Sequence, residues 1–140
     1  MAYRSLIDDL HLRLHDRGWH DVRPAFGFLL LAARAGPVTV GDLAELLGVT
    51  KQAASKLAAT MEAAGYLTQG TGEHDNRRRP FRLSARGAEL LRDVEEIYDE
   101  LERGWASTIG ERGLQRLRQD LESAVKAANG GTLPPVRPTL

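Results

Sequence analysis

Four polar side chains stand out for their chemistry and their spacing: Lys51, Gln52, Ser55 and Lys56. At i, i+1, i+4 and i+5 they share one face of a helix, on the side away from Ala54 and Leu57. Glutamine can pair bidentately with adenine, serine can meet base edges or phosphate, and lysine can meet guanine or phosphate. At the first turns of a helix such a set suits the major groove, and the positive end of the helix dipole favours phosphate there. Thr50 precedes the set and is suited to cap its helix. A second basic group, Arg77, Arg78 and Arg79, follows a glycine-rich stretch, with Arg82 and Arg86 beyond it. Arginines on such a loop can lie along a phosphate chain or enter a narrow minor groove.

Other chemistries find little support. The chain has no cysteine, which removes disulfides, thiolate metal sites, a cysteine nucleophile and thiol redox sensing. There is no nucleophile elbow with a Ser-His-Asp spacing, no glycine-rich phosphate loop and no carboxylate pair suited to a cleft, so neither an enzymatic reaction nor a cofactor is expected. Glu95, Glu96, Asp99 and Glu100 read as a solvated helix face. His11 and His15 are spaced i, i+4, with His20 close by, but no firm fourth ligand accompanies them, and no metal site is expected.

Charge points the same way as the side-chain types, although the net charge is zero. Residues 50–92 carry eight Lys/Arg against four Asp/Glu, whereas residues 93–122 carry four against nine. One part is thus suited to phosphate and the other is not. The N-terminus has charges every few residues and no apolar core of a signal peptide, and the apolar run at residues 26–33 is too short to span a bilayer. A cytoplasmic protein without a membrane partner is expected.

The elements that must position these residues follow from hydrophobic periodicity. Residues 3–16 form an amphipathic helix with Leu6, Ile7, Leu10 and Leu14 on one stripe. Residues 19–23 connect it to a helix over 24–35, with Pro24 in its first turn, that is apolar nearly all round and therefore buried. Thr39 and Asp42 make a short capping box for a helix ending near Leu47, and Gly48 supplies the turn into the helix that carries Lys51. Small residues, Ala44, Gly48 and Ala54, fall where the two helices must cross closely. Residues 66–68 and 80–83 read as strands of a hairpin. Ser84 caps a long helix to about Thr108, and residues 111–128 form the last helix, with Leu114, Leu117, Leu121 and Val125 spaced 3, 4, 4. The helix pair alone could be any α-hairpin, and the arginine run alone could be a solvated loop. Their adjacency favours DNA.

The stretch VTVGDLAELLGVTKQAASKLAATMEAAGYL, with Asp75-Asn-Arg77, five further residues, Leu83-Ser84 and then Gly87, resembles the MarR-type winged helix-turn-helix transcription regulators. The resemblance runs from about Leu6 to Ala127, with Ser84 where the family usually has threonine. It implies a mainly α fold with a small β-hairpin wing. Residues 1–23 and 109–129 would be dimerisation helices, 24–92 the DNA-binding domain, 93–108 a connecting helix and 130–140 a flexible tail. Thr50, Lys51, Gln52, Ser55 and Lys56 would serve the major groove. Asp75 would organise a wing whose Arg77, Arg78 and Arg79 meet DNA. The partners implied are double-stranded DNA and a second copy of the chain, in a repressor of pseudo-palindromic operators. The two terminal apolar stripes also need a partner surface on their own account.

By the same resemblance a small aromatic effector would bind near His15, Trp19, His20, Phe26 and Leu30 and release DNA. The plainer reading of Trp19 and Phe26 is that they are core. The near-neutral net charge leaves one alternative function, a winged-helix protein-interaction module that does not bind DNA.

Overall fold

The computed structural model describes residues 2–70 and 79–132. Among the described residues, six helices and one two-stranded antiparallel hairpin follow in the order α1 (Ala2–Asp16), α2 (Pro24–Ala35), α3 (Val40–Leu47), α4 (Lys51–Ala63), β1 (Leu67–Gln69), β2 (Phe81–Leu83), α5 (Ala85–Ile109) and α6 (Glu111–Ala128). This is the mainly helical winged-helix architecture expected from the sequence. No described helix is long and apolar enough to cross a membrane.

The described residues through Val94 make one compact unit, and those from Glu95 onward make a second. The core of the first unit gathers Leu10 and Leu14 of α1, Phe26, Leu29 and Leu30 of α2, Leu43 and Leu47 of α3, Met61 of α4 and Leu90 of α5, all buried. Each such side chain contributes roughly 1.5–3 kcal/mol relative to exposure. α2 behaves as the apolar strut its composition requires: it starts on Pro24 and buries Ala25, Phe26, Leu29, Leu30 and Ala33.

The hairpin pairs Leu67 with Leu83, Thr68 with Arg82 and Gln69 with Phe81. β1 begins one residue later than the alternation suggests, because Tyr66 N donates to Met61 O at 2.8 Å and so closes the end of α4. Val38 adds a third extended segment: it donates to Phe81 O at 2.9 Å and accepts from Phe81 N at 2.7 Å. Ser84 joins the hairpin to α5, since its Oγ accepts from Gly87 N at 2.9 Å and donates to Gly65 O at 2.5 Å.

In the second unit Ile97, Leu101 and Leu114 are buried, and Arg118 of α6 pairs with Glu102 of α5. Trp105, Ile109, Leu117, Leu121 and Val125 remain exposed.

Candidate nucleic-acid interface

α3 and α4 are set by local rules at each junction. The Thr39 side chain accepts from Asp42 N at 3.2 Å, and Asp42 Oδ2 accepts from Thr39 N at 2.7 Å and from Thr39 Oγ1 at 2.8 Å. The donation from the Thr39 backbone and hydroxyl holds the Asp42 carboxyl below its ordinary range. Gly48 ends α3 with φ 66°, a left-handed conformation that glycine takes without Cβ strain. Thr50 then caps α4, its Oγ1 accepting from Ala53 N at 3.2 Å. Ala44, Ala54 and Ala58 are buried together with Leu43, Leu47 and Met61, so small and large side chains of the two helices share one core.

This packing turns the opposite face of α4 outward. Lys51, Gln52, Ser55 and Lys56 are all exposed, as is Thr50. Lys51, Gln52 and Ser55 line an open groove whose other side is formed by Gln69 and Arg79 at the base of the hairpin, with the start of α3 at one edge. Arg79 is half-buried, and its Nε is shut off from solvent without a hydrogen-bond partner among the described residues. Asp75, Arg77 and Arg78 lie outside the described residues.

Arg86 occupies a different place from the one its neighbourhood in the sequence suggests. Its guanidinium carbon lies 4.9 Å from the Trp19 ring centroid and 5.2 Å from that of Tyr66, and its Nε donates to Ala64 O at 3.2 Å. It remains exposed while packing against two aromatic rings and a helix-end carbonyl.

Around Arg86 is a set of contacts that no sequence motif announces. Trp19 Nε1 donates to Asp93 Oδ2 at 2.6 Å, and Arg17 reaches Asp93 Oδ1 at 3.3 Å. Tyr66, fully buried, donates its hydroxyl to Asp21 Oδ1 at 2.6 Å and meets the rings of Trp19 and Phe26 at 6.0 and 5.9 Å. Burial, and then the hydrogen bond to Asp21, raises the Tyr66 phenol above its ordinary range. The signal that could have located Asp21 and Asp93 is the rule that a buried Tyr or Trp seeks a partner for its polar end.

The residues suggested for an effector pocket are spread over this region. Phe26 and Leu30 are buried in the core, Trp19 is half-buried with its indole N–H committed, and the exposed His15 and His20 rings meet edge to face at 4.3 Å. Among the described residues no group of three or more His, Cys, Asp or Glu is placed to share a metal ion.

Comparison with known proteins agrees with this geometry. A sequence model of the MarR family matches residues 23–78. The chain is 31% identical over 129 residues to the HTH-type transcriptional regulator PetP of Rhodobacter capsulatus, covering 91% of this chain and 75% of that protein. Among solved structures, it is similar to transcriptional regulator Tm0710 of Thermotoga maritima, at 25% identity and TM-score 0.64, covering 94% of this chain and 92% of that one. It also shares its fold with a MepR variant of Staphylococcus aureus bound to an oligodeoxyribonucleotide, at 21% identity and TM-score 0.65, covering 91% and 93% of the two chains.

Proposed function

The chain belongs to the MarR family, and from that premise we propose that it is a homodimeric, sequence-specific DNA-binding transcription regulator that represses from pseudo-palindromic operators. The observation that carries this reading is the outward face of α4, where Lys51, Gln52, Ser55 and Lys56 stand exposed beside a capped helix start while Ala54, Ala58 and Met61 fill the inner side. That arrangement offers bidentate and phosphate-seeking donors to a major groove. The oligodeoxyribonucleotide bound by the MepR variant, whose fold this chain shares, supports it. Asp75, Arg77 and Arg78 would then form the wing contact with the adjacent minor groove.

The dimer rests on Leu117, Leu121 and Val125, three exposed apolar residues on α6. A two-fold partner would cover them and set two copies of α4 about 34 Å apart, one turn of DNA. Release by a small aromatic ligand is part of the same proposal, with Trp19, His15 and His20 around it and Phe26 and Leu30 beneath.

An electrophoretic shift with a duplex chosen by the protein from a randomised pool tests the reading. Binding at low salt is expected, with Gln52→Ala altering the preferred sequence and Lys56→Ala weakening all duplexes alike. Absence of any retained duplex at low salt would refute it. Sequence-blind losses in both variants would remove Gln52 as a base reader.

A further inference from the structure

The groove between α4 and the base of the hairpin joins groups from three parts of the chain. Lys51, Gln52 and Ser55 face it from α4, Gln69 from the end of β1 and Arg79 from the approach to β2. Most of these polar side chains offer donors, and among the described residues Glu62 is the one carboxylate lining the groove. Arg79 is the least satisfied of them, because its Nε is removed from water and has no acceptor among the described residues. A guanidinium stays charged, and this half-buried one lines the groove, so its terminal nitrogens are the donors an anion there can meet.

We propose that this groove seats a DNA backbone phosphate, with Arg79 as its main ligand and Lys51 and Gln69 beside it. Arg79 therefore works next to the recognition helix as a register contact, not with Arg77 and Arg78 in the minor groove. The proposal rests on the reading of α4 as the major-groove helix. Given that reading, duplex geometry supplies the reason. The major and minor grooves are separated by a sugar-phosphate chain. A protein with one element in each groove must let that chain pass between them. The space between α4 and the hairpin is where it passes, and the side chains lining it are suited to anionic oxygens. Gln69, which nothing in the sequence marked, becomes part of the interface by the same argument.

The test uses a duplex that the full-length wild-type protein has selected from a randomised pool. Wild type, Arg79→Ala and Arg79→Gln are titrated across a salt series. They are also titrated against copies of the duplex carrying one uncharged methylphosphonate at each backbone position in turn. Both variants are expected to bind about tenfold more weakly than the wild type on the unmodified duplex, as loss of one charge-assisted contact implies. The slope of log affinity against log salt should fall by about one. One methylphosphonate position should weaken the wild type while leaving both variants unaffected. Losses that follow the A·T content of the flanks, or the lack of any such coupled position, overturn the assignment of Arg79 and leave α4 as the reader. Failure of the wild type to hold any duplex removes both.

Discussion

Gly87 provides a sharp test of how the DNA-binding unit is held together. A Cβ built there would lie 2.2 Å from Tyr66 O and 2.9 Å from Leu83 Cδ1, where real Cβ atoms keep at least 3.0 Å. The obstructing atom is a backbone carbonyl that accepts from Ser84 N at 3.2 Å, and it belongs to a residue whose side chain is fully buried and tied to Asp21. Relief therefore requires α5 to move away from the hairpin, or the Ser84 contacts to break. Overpacking of this kind costs about 1–3 kcal/mol, and loss of a capping or backbone hydrogen bond adds roughly 1 kcal/mol. Alanine recovers at most about 1 kcal/mol of helix propensity. Gly87→Ala is thus expected to destabilise by about 1–3 kcal/mol, a fall in Tm of roughly 3–15 °C for a chain of this size. Gly104→Ala makes the opposite case: the position is helical, with nothing within 4 Å of an added Cβ, so stability should hold or rise. Thermal melts followed by circular dichroism at one protein concentration read both variants. A Tm for Gly87→Ala within about 2 °C of wild type would refute the steric reasoning, whatever its effect on DNA binding.

Three further outcomes follow from the same contacts. Because the folded Tyr66 phenol titrates above its ordinary value of 10.0, its contribution is complete below that pH and is lost as pH rises through the folded value. Tyr66→Phe should cost about 1 kcal/mol near neutrality and flatten the alkaline limb of a stability-against-pH curve; an unchanged limb would remove the phenol from that titration. Asp42 titrates below its ordinary 3.8, so its support is present above that value and fades as pH falls through the folded one. Thr39→Ala should cost about 1 kcal/mol in urea unfolding at pH 7, and progressively less as pH falls through the folded Asp42 value; a loss that does not change with pH would sink the link between cap and carboxylate. Leu121→Asp, on the exposed α6 face, should turn the proposed dimer into a monomer in sedimentation equilibrium; a wild type that is already monomeric would refute the dimer, and a variant that stays dimeric would place the interface elsewhere.

Much of the first unit was legible because its rules are local. Pro24 and the apolar run fixed the start and burial of α2, Thr39 with Asp42 fixed the start of α3, and Gly48 with Thr50 fixed the turn into α4. Each is decided within a few residues, where capping and periodicity operate. The exposure of Lys51, Gln52, Ser55 and Lys56 followed from the same periodicity, once Ala54 was assigned inward. The contacts that were not legible join distant positions: Tyr66 with Asp21, Trp19 with Asp93, and Val38 with Phe81. No spacing encodes such pairs, since they depend on how whole elements pack. The strand starts at Leu67 rather than Tyr66 because the Tyr66 N–H is taken by Met61 O at the end of α4, a bond that alternation does not reveal.

Arg86 shows that a cation in a basic stretch can also hold the fold. It is among the eight cations of residues 50–92, yet its guanidinium lies against Trp19 and Tyr66 and its Nε is bonded to Ala64 O. What it contributes is a fixed end for α4. Ala64 is the C-cap of that helix, and Tyr66 follows two residues later, held by Asp21 and packed against Phe26. The thirteen residues of α4 span about 20 Å. At its far end Thr50 caps the helix and Ala54 seats it close to α3. Both ends are therefore held by contacts that use none of Lys51, Gln52, Ser55 or Lys56. A helix anchored in this way can present those four side chains in one orientation, so that little ordering remains for a bound duplex to impose.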